Sequence, residues 1–192
     1  MSLAEDVRRL RGNLGELPEP MVNPPFILVS GLPGTGKSFF CRRLAERLPY
    51  PVLESDALRK ALVPSPTYSP QENNRLFQAC HTLIEELLKK GAPLIFDATN
   101  LVERHREHLY RIADNVGARL ILVRVEAPPG VVQQRLSDRA AARARDDNSD
   151  ADWGVYQKMR PTAQRIQRNH FAVDTSTDIQ PAVERVVREA NR

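Results

Sequence analysis

A compact apolar run, Phe26-Ile27-Leu28-Val29-Ser30, leads directly into Gly31-Leu32-Pro33-Gly34-Thr35-Gly36-Lys37-Ser38 and then into an amphipathic stretch. That octapeptide constrains the fold more than any other segment. It satisfies G-x-x-x-x-G-K-[ST] in the setting that gives the pattern a mechanism, the turn from a strand into a helix. Glycines let successive backbone N–H groups curl round an anion, and the helix beginning near Gly36 adds the positive end of its dipole. Lys37 brings a point charge for the outer phosphates of a nucleotide, and Ser38 brings a hydroxyl for a divalent cation. An ordinary glycine turn needs none of this spacing, and accident produces it in about one chain in a hundred of this length. The phosphate-binding set is read as Gly31, Leu32, Pro33, Gly34, Thr35, Gly36, Lys37, Ser38 and Phe39.

The remaining chain alternates strand and helix patterns. Residues 3–11 form a short helical pattern, and a Gly/Pro/Asn-rich stretch to Pro25 breaks it, so residues 1–25 read as a helix and linker arm before a domain over 26–192. Residues 51–54 read as a second strand, with Ser55 placed to cap a helix running to Leu62. Ser69-Pro70-Gln71-Glu72 has the form of a capping box, and apolar residues at helical spacing follow it to Gly91. Residues 93–96 give a third strand ending at Asp97, a helix spans 103–116 and stops at Gly117, and 119–125 give a fourth strand. Helices are expected over 130–145 and, after the polar break at 146–150, on to about Arg168; 171–174 form a fifth strand and a last helix starts at Pro181. Five strands alternating with helices predict an α/β fold, a parallel sheet covered on both faces that binds ligands beyond its carboxyl strand ends.

Three further signals lie where such a sheet edge would be. Asp97 closes an apolar strand, the position from which a carboxylate supports Mg²⁺, and Thr99 and Asn100 follow it. A turn-capping role for Asp97 is compatible with this one. Asp56 ends the second strand with Arg59 three residues on, so both occupy one side of a helix start. A carboxylate there suits the general base that an acceptor hydroxyl requires; the plainer reading is a capping acid beside a surface arginine. Arg135 and Arg139 share a helix face, with Arg143 and Arg145 beyond, either as a lid over a nucleotide or as a solvated basic face. His105 and His108 lack a third ligand in sequence and read as solvated.

Composition narrows the class. No run of about 18 apolar residues occurs, and the acid-containing start lacks a secretory segment, so a soluble cytoplasmic protein with no membrane partner is expected. Cys41 and Cys80 sit among apolar neighbours without metal or disulfide spacing and read as core residues in a reducing compartment. A net charge of +4 permits phosphate-rich partners without demanding them.

In this order, the loop at 31–38, Asp56-x-x-Arg59, Asp97 with Thr99-Asn100-Leu101, and Arg135-x-x-x-Arg139 resemble the P-loop kinase superfamily, and within it the polynucleotide 5′-hydroxyl kinases, small AAA-type ATP-binding kinases of phage and bacterial RNA repair. The resemblance covers about residues 26–175. It implies a P-loop NTPase three-layer α/β/α sandwich with a five-stranded parallel sheet and a helical lid at about 135–155, and it implies ATP and Mg²⁺ as cofactors. By the same resemblance Asp56 is the general base, Arg59 orients the acceptor-strand phosphate, and Arg135 and Arg139 contact ATP phosphates. Thr99 and Asn100 join Asp56 and Arg59 on the acceptor side.

The implied acceptor is a 5′-hydroxyl DNA or RNA end. Related small P-loop kinases act on gluconate, nucleosides, antibiotics, nucleotide sugars or seryl-tRNA, so a small-molecule or tRNA-linked hydroxyl is the alternative. Tyr68, Phe77, Tyr110, Trp153 and Tyr156 are the aromatic candidates for base stacking, Phe77 being the one that also fits a core position. A nucleotide switch or mechanical ATPase is disfavoured. The guanine-reading Asn-Lys-x-Asp segment is missing from the sequence, and Asp97 is followed by Ala98 where AAA-type ATPases carry a water-activating glutamate.

Overall fold

The structure, a computed structural model, describes residues 2–142 and 150–192. Arg143, Arg145 and the polar residues 146–149 of the expected lid lie outside the described residues.

Five parallel strands lie in the order β2-β3-β1-β4-β5: β1 (Pro25–Ser30), β2 (Val52–Glu54), β3 (Leu94–Asp97), β4 (Arg119–Glu126) and β5 (Phe171–Asp174). β1 is central, paired in parallel with β3 and β4, and all six of its residues are buried. Alternation along β1 and β3 separates two cores. Phe26, Leu28, Leu94 and Phe96 face one side, where they pack with α1 (Leu3–Arg11), α3 (Ser55–Leu62), α4 (Pro70–Lys89) and α5 (Glu103–Val116). Ile27, Val29 and Ile95 face the other, against α2 (Lys37–Ala45) and α8 (Gln180–Ala190). The three-layer sandwich expected from the alternation is present. Among the described residues no helix is long and apolar enough to cross a membrane.

Local chemistry accounts for most boundaries. Ser2 and Glu5 close a capping box on α1, and the helix lays Val7 and Leu10 into the core shared with α4. The Asp6 carboxylate, buried, accepts two bonds from Arg75 of α4 at 2.7 and 2.6 Å, which holds its carboxyl below the usual range. α5 ends where Gly117 takes φ 70°, as expected. α4 begins at Pro70 with the Ser69 hydroxyl accepting from the Glu72 N–H at 3.2 Å. Only half of the expected box forms there, because the Glu72 carboxylate turns towards Arg59 and Thr67. α3 starts one residue before expectation, with Ser55 inside the helix and Glu54 at its cap position.

One expected helix is corrected. α6 (Pro129–Ala142) and α7 (Trp153–Met159) form, but the helix after the break does not continue to Arg168; it tightens into a 3₁₀ turn, Arg160–Thr162, and then opens into loop. Pro161 interrupts the hydrogen-bond ladder, and α5 captures the released backbone. The Gln164 N–H donates to the Leu101 carbonyl at 2.9 Å. Arg106, 1% exposed, donates to the carbonyls of Gln164 at 2.8 Å, Arg165 at 3.0 Å and Asn100 at 2.5 Å, and to the Glu103 carboxylate at 2.7 Å. One guanidinium thus ties the loop after β3 to the strap that crosses it. Arg106→Met keeps the bulk and strands several acceptors, so a loss of about 3–5 kcal/mol is expected, lowering Tm by roughly 10 °C. An unchanged melting temperature by calorimetry would contradict this role.

Candidate active site

The phosphate loop is held in shape from within and from both neighbouring strands. Thr35 Oγ1 donates to the Leu32 carbonyl at 2.7 Å, and Lys37 Nζ donates to the same oxygen at 3.0 Å. Gly36 adopts φ 91°, a left-handed conformation that side chains disfavour, and a Cβ there would lie 3.1 Å from Thr175 Oγ1. At Gly31 the restriction is space, since a Cβ would stand 2.4 Å from the Val125 carbonyl oxygen. Burial pushes the Lys37 ammonium pKa down, and the carboxylates of Asp97 and Asp56 oppose that shift.

β1 and β3 deliver the loop and a carboxylate side by side, because Val29 pairs with Asp97 in the parallel register. Ser38 Oγ donates to Asp97 Oδ2 at 2.7 Å. Two oxygen donors converge beside the loop, a set that fits Mg²⁺, which is usually bound through one or two protein oxygens plus substrate phosphates. Mg²⁺ would be held by Ser38 and, directly or through water, by Asp97. Behind Asp97 the loop is braced by β1: the Thr99 carbonyl accepts from the Gly31 N–H at 3.1 Å and the Ser30 hydroxyl at 3.0 Å. Asn100, buried at φ 47°, donates its amide to the Val29 carbonyl at 3.1 Å. Thr99 and Asn100 line the cavity, and these bonds fix their backbone against the strand that feeds the phosphate loop.

Asp56 stands in the first turn of α3 and lines the same cavity. Arg59, one turn on, is 6% exposed. Its guanidinium donates to Glu72 Oε1 at 2.5 Å and to Asn73 Oδ1 at 2.7 Å, with the Tyr68 ring 4.7 Å away over its face. Glu72 also accepts from the Thr67 N–H and hydroxyl at 2.7 and 2.9 Å. These bonds, the Thr67 N–H first, take the Glu72 carboxyl from 4.5 down to about 2. A depressed carboxyl contributes its stabilisation above the unfolded-state value, so this link is intact at neutral pH and is released as pH falls from about 4.5 to about 2. Tyr68, at φ 56°, donates its hydroxyl to Asp150 at 2.8 Å, joining the α3–α4 loop to the segment three residues before α7.

Arg135 and Arg139 of α6 also reach the cavity. Arg135 donates to Thr175 Oγ1 and to the Thr175 carbonyl, both at 2.8 Å. The Thr175 hydroxyl in turn donates to the Thr35 carbonyl at 2.6 Å, and its N–H to Glu126 at 3.0 Å. Thr175 therefore spans the α6 arginine, the phosphate loop and the end of β4. Sequence reasoning did not find it, because its partners are 40 and 140 residues distant. Thr175→Val preserves shape but leaves the Arg135 donor and Thr35 acceptor unmatched, and a roughly tenfold rise in KM for ATP is expected. Thr175→Ser should restore it; equal KM values in all three proteins would contradict the bridge.

The parts meet in one cavity of about 1690 Å³. Lys37, Ser38, Asp97, Asp56, Arg135 and Arg139 all line it, as do Arg59, Thr99 and Asn100. Single-ligand pockets run to roughly 1,000 Å³, so this space accommodates a nucleotide together with a second molecule. Cys41 and Cys80 are buried core residues, their thiols pushed up by burial. His105 and His108 are exposed, and the His108 ring lies 4.5 Å from that of His81.

Residues 26–166 match the model of the AAA domain family (AAA_33). Over 89 residues the chain is 35% identical to the adenylate kinase isoenzyme 6 homolog of Drosophila melanogaster, an alignment covering 46% of this chain and 47% of that protein. The chain thus spans about half the length of the curated relative it matches. Among solved structures it is similar to the Mycobacterium tuberculosis APS kinase CysC in complex with AMPPNP and APS, at 20% identity and TM-score 0.66, covering 91% of this chain and 100% of that one. It is also similar to Chaetomium thermophilum Kti12 in complex with ADP-AlF3, at 18% identity and TM-score 0.69, covering 86% and 96%. At these identities the likeness is one of fold. With the phosphate loop, the sheet order and the family match in agreement, this chain belongs to the AAA domain family and has the P-loop kinase fold.

Proposed function

We propose that this kinase-like protein transfers the γ-phosphate of Mg·ATP to an acceptor hydroxyl, and that the acceptor is a polynucleotide 5′-hydroxyl. The observation that carries the reading is that Lys37, the Ser38–Asp97 pair and Asp56 line one cavity. Mg²⁺, when bound, neutralises charge on the phosphate oxygens. The loop N–H groups and Lys37 hold the β- and γ-phosphates, and Arg135 and Arg139 offset negative charge as the phosphoryl group moves. Asp56 orients the acceptor hydroxyl and takes its proton. The acceptor oxygen forms a bond to the γ-phosphorus, the bond from that phosphorus to the bridging oxygen breaks, and ADP leaves with that electron pair. Arg59, 6% exposed and bonded to Glu72 and Asn73, keeps the role of orienting a phosphate of the acceptor strand, which requires that phosphate to draw a donor from those partners.

A small-molecule or tRNA-linked hydroxyl is the second reading. It draws on the likeness to an APS kinase and to an adenylate kinase isoenzyme homolog. A switch or motor would turn over ATP without any acceptor. The test is ATP turnover with and without a 5′-hydroxyl oligonucleotide. Strong stimulation by the oligonucleotide is expected, and equal rates would overturn the kinase reading.

A further inference from the structure

On the wall of the cavity beyond Arg59, one stripe of α4 faces inward: Asn74, Phe77, Gln78 and His81, at the 3, 4 and 7 spacing of a helix face. The opposite stripe of that helix, including Leu76, Cys80, Leu83 and Leu87, is core. Asn74, Gln78 and His81 make no side-chain hydrogen bond among the described residues. Polar groups held on a helix face and left without internal partners are available to a ligand. Across the groove the first turn of α5 contributes Arg104 and His105, both exposed and both lining the cavity.

The aromatic part is built as a unit. The Phe77 and His81 rings lie 6.2 Å apart, and His81 meets the His108 ring at 4.5 Å. Burial, with the neighbouring His108 and His105, lowers the His81 imidazole to about 4, so at neutral pH it is an uncharged ring and the groove's cation is Arg104. The surface therefore offers two unsaturated rings tilted 40° to one another, two amides that each donate and accept, and one guanidinium. That combination suits a planar heterocycle bearing hydrogen-bonding edges and joined to an anion.

From this juxtaposition we infer that the groove between α4 and the start of α5 binds the first base and the adjoining phosphate of the acceptor strand, Phe77 and His81 forming the stacking wall, Asn74 and Gln78 meeting the base edge and Arg104 meeting the phosphate. The inference rests on the polynucleotide reading above and adds to it which residues select such an acceptor. Stacking tolerates any base, so broad sequence acceptance accompanies a requirement that a base be present.

The test is steady-state transfer by the full chain to two matched 5′-hydroxyl oligonucleotides, one intact and one lacking the 5′-terminal base. Phe77→Leu keeps a half-buried apolar side chain and removes the ring; Gln78→Ala and Arg104→Ala change exposed positions. For Phe77→Leu the KM for the intact strand should rise about tenfold, while the abasic strand, already poor, changes little. Arg104→Ala should raise KM for both strands and flatten the salt dependence. The KM for ATP should hold in all variants, and the melting temperature should hold in Gln78→Ala and Arg104→Ala. If wild-type protein transfers to both strands equally well, or Phe77→Leu and Arg104→Ala leave acceptor KM unchanged, the groove assignment is overturned while the polynucleotide reading stands. If wild-type protein binds ATP but transfers to neither strand, the polynucleotide reading itself fails, and the groove assignment with it.

Discussion

Asp56→Asn should lose transfer by about 10²–10⁴-fold in kcat while binding ATP as the parent does. The asparagine keeps the size of the side chain and the start of α3, and it removes the one group proposed to accept the hydroxyl proton. Asp56 lines the cavity from the first turn of α3 and takes no part in the Ser38–Asp97 bond, so its loss should leave the nucleotide subsite intact. It also exerts an attractive field on Lys37, so the substitution should lower the Lys37 pKa somewhat further. Isothermal titration with a non-hydrolysable ATP analogue and labelled-phosphate transfer separate the two effects. Retained transfer would remove Asp56 from the mechanism.

Lys37→Ala should weaken nucleotide binding and transfer together, with transfer falling by about 10²–10³-fold. Lys37 is half-buried, and its ammonium donates to the Leu32 carbonyl at 3.0 Å and lies within the field of Asp97 and Asp56. Removing it takes away the loop's one side-chain charge and a contact that fixes the loop's curvature. The contrast with Asp56→Asn is the diagnostic part: one variant should separate binding from chemistry, and the other should not. A Lys37→Ala protein with unaltered analogue affinity would show that the backbone cradle alone holds the phosphates.

Much of this arrangement was legible in the sequence because it is written in local patterns. The loop at 31–38 announces itself through spacing, Asp97 through its place at the end of an apolar strand, and α5 through the stop at Gly117. Sheet membership followed from alternation of element types, and the division of β1 into two cores from its alternating side chains. What stayed hidden is long-range. Arg59 reads as an exposed arginine after a helix start, yet Glu72, Asn73 and Tyr68 enclose it, and that depends on how α4 folds back onto α3. Thr175 and Arg106 carry no local signature, since every partner that gives them meaning is brought in by the sheet or by the strap across α5. The helix expected to Arg168 fails for a local reason: helical propensity continues past residue 160, but Pro161 cannot donate to the ladder and ends it.

The most direct test of the central reading is transfer of labelled γ-phosphate from ATP, with Mg²⁺, to matched 5′-hydroxyl and 5′-phosphate oligonucleotides of DNA and RNA. Label entering only the hydroxyl ends, and vanishing in Asp56→Asn, is the predicted result. Label released as free phosphate at one rate with every oligonucleotide and with none would contradict it.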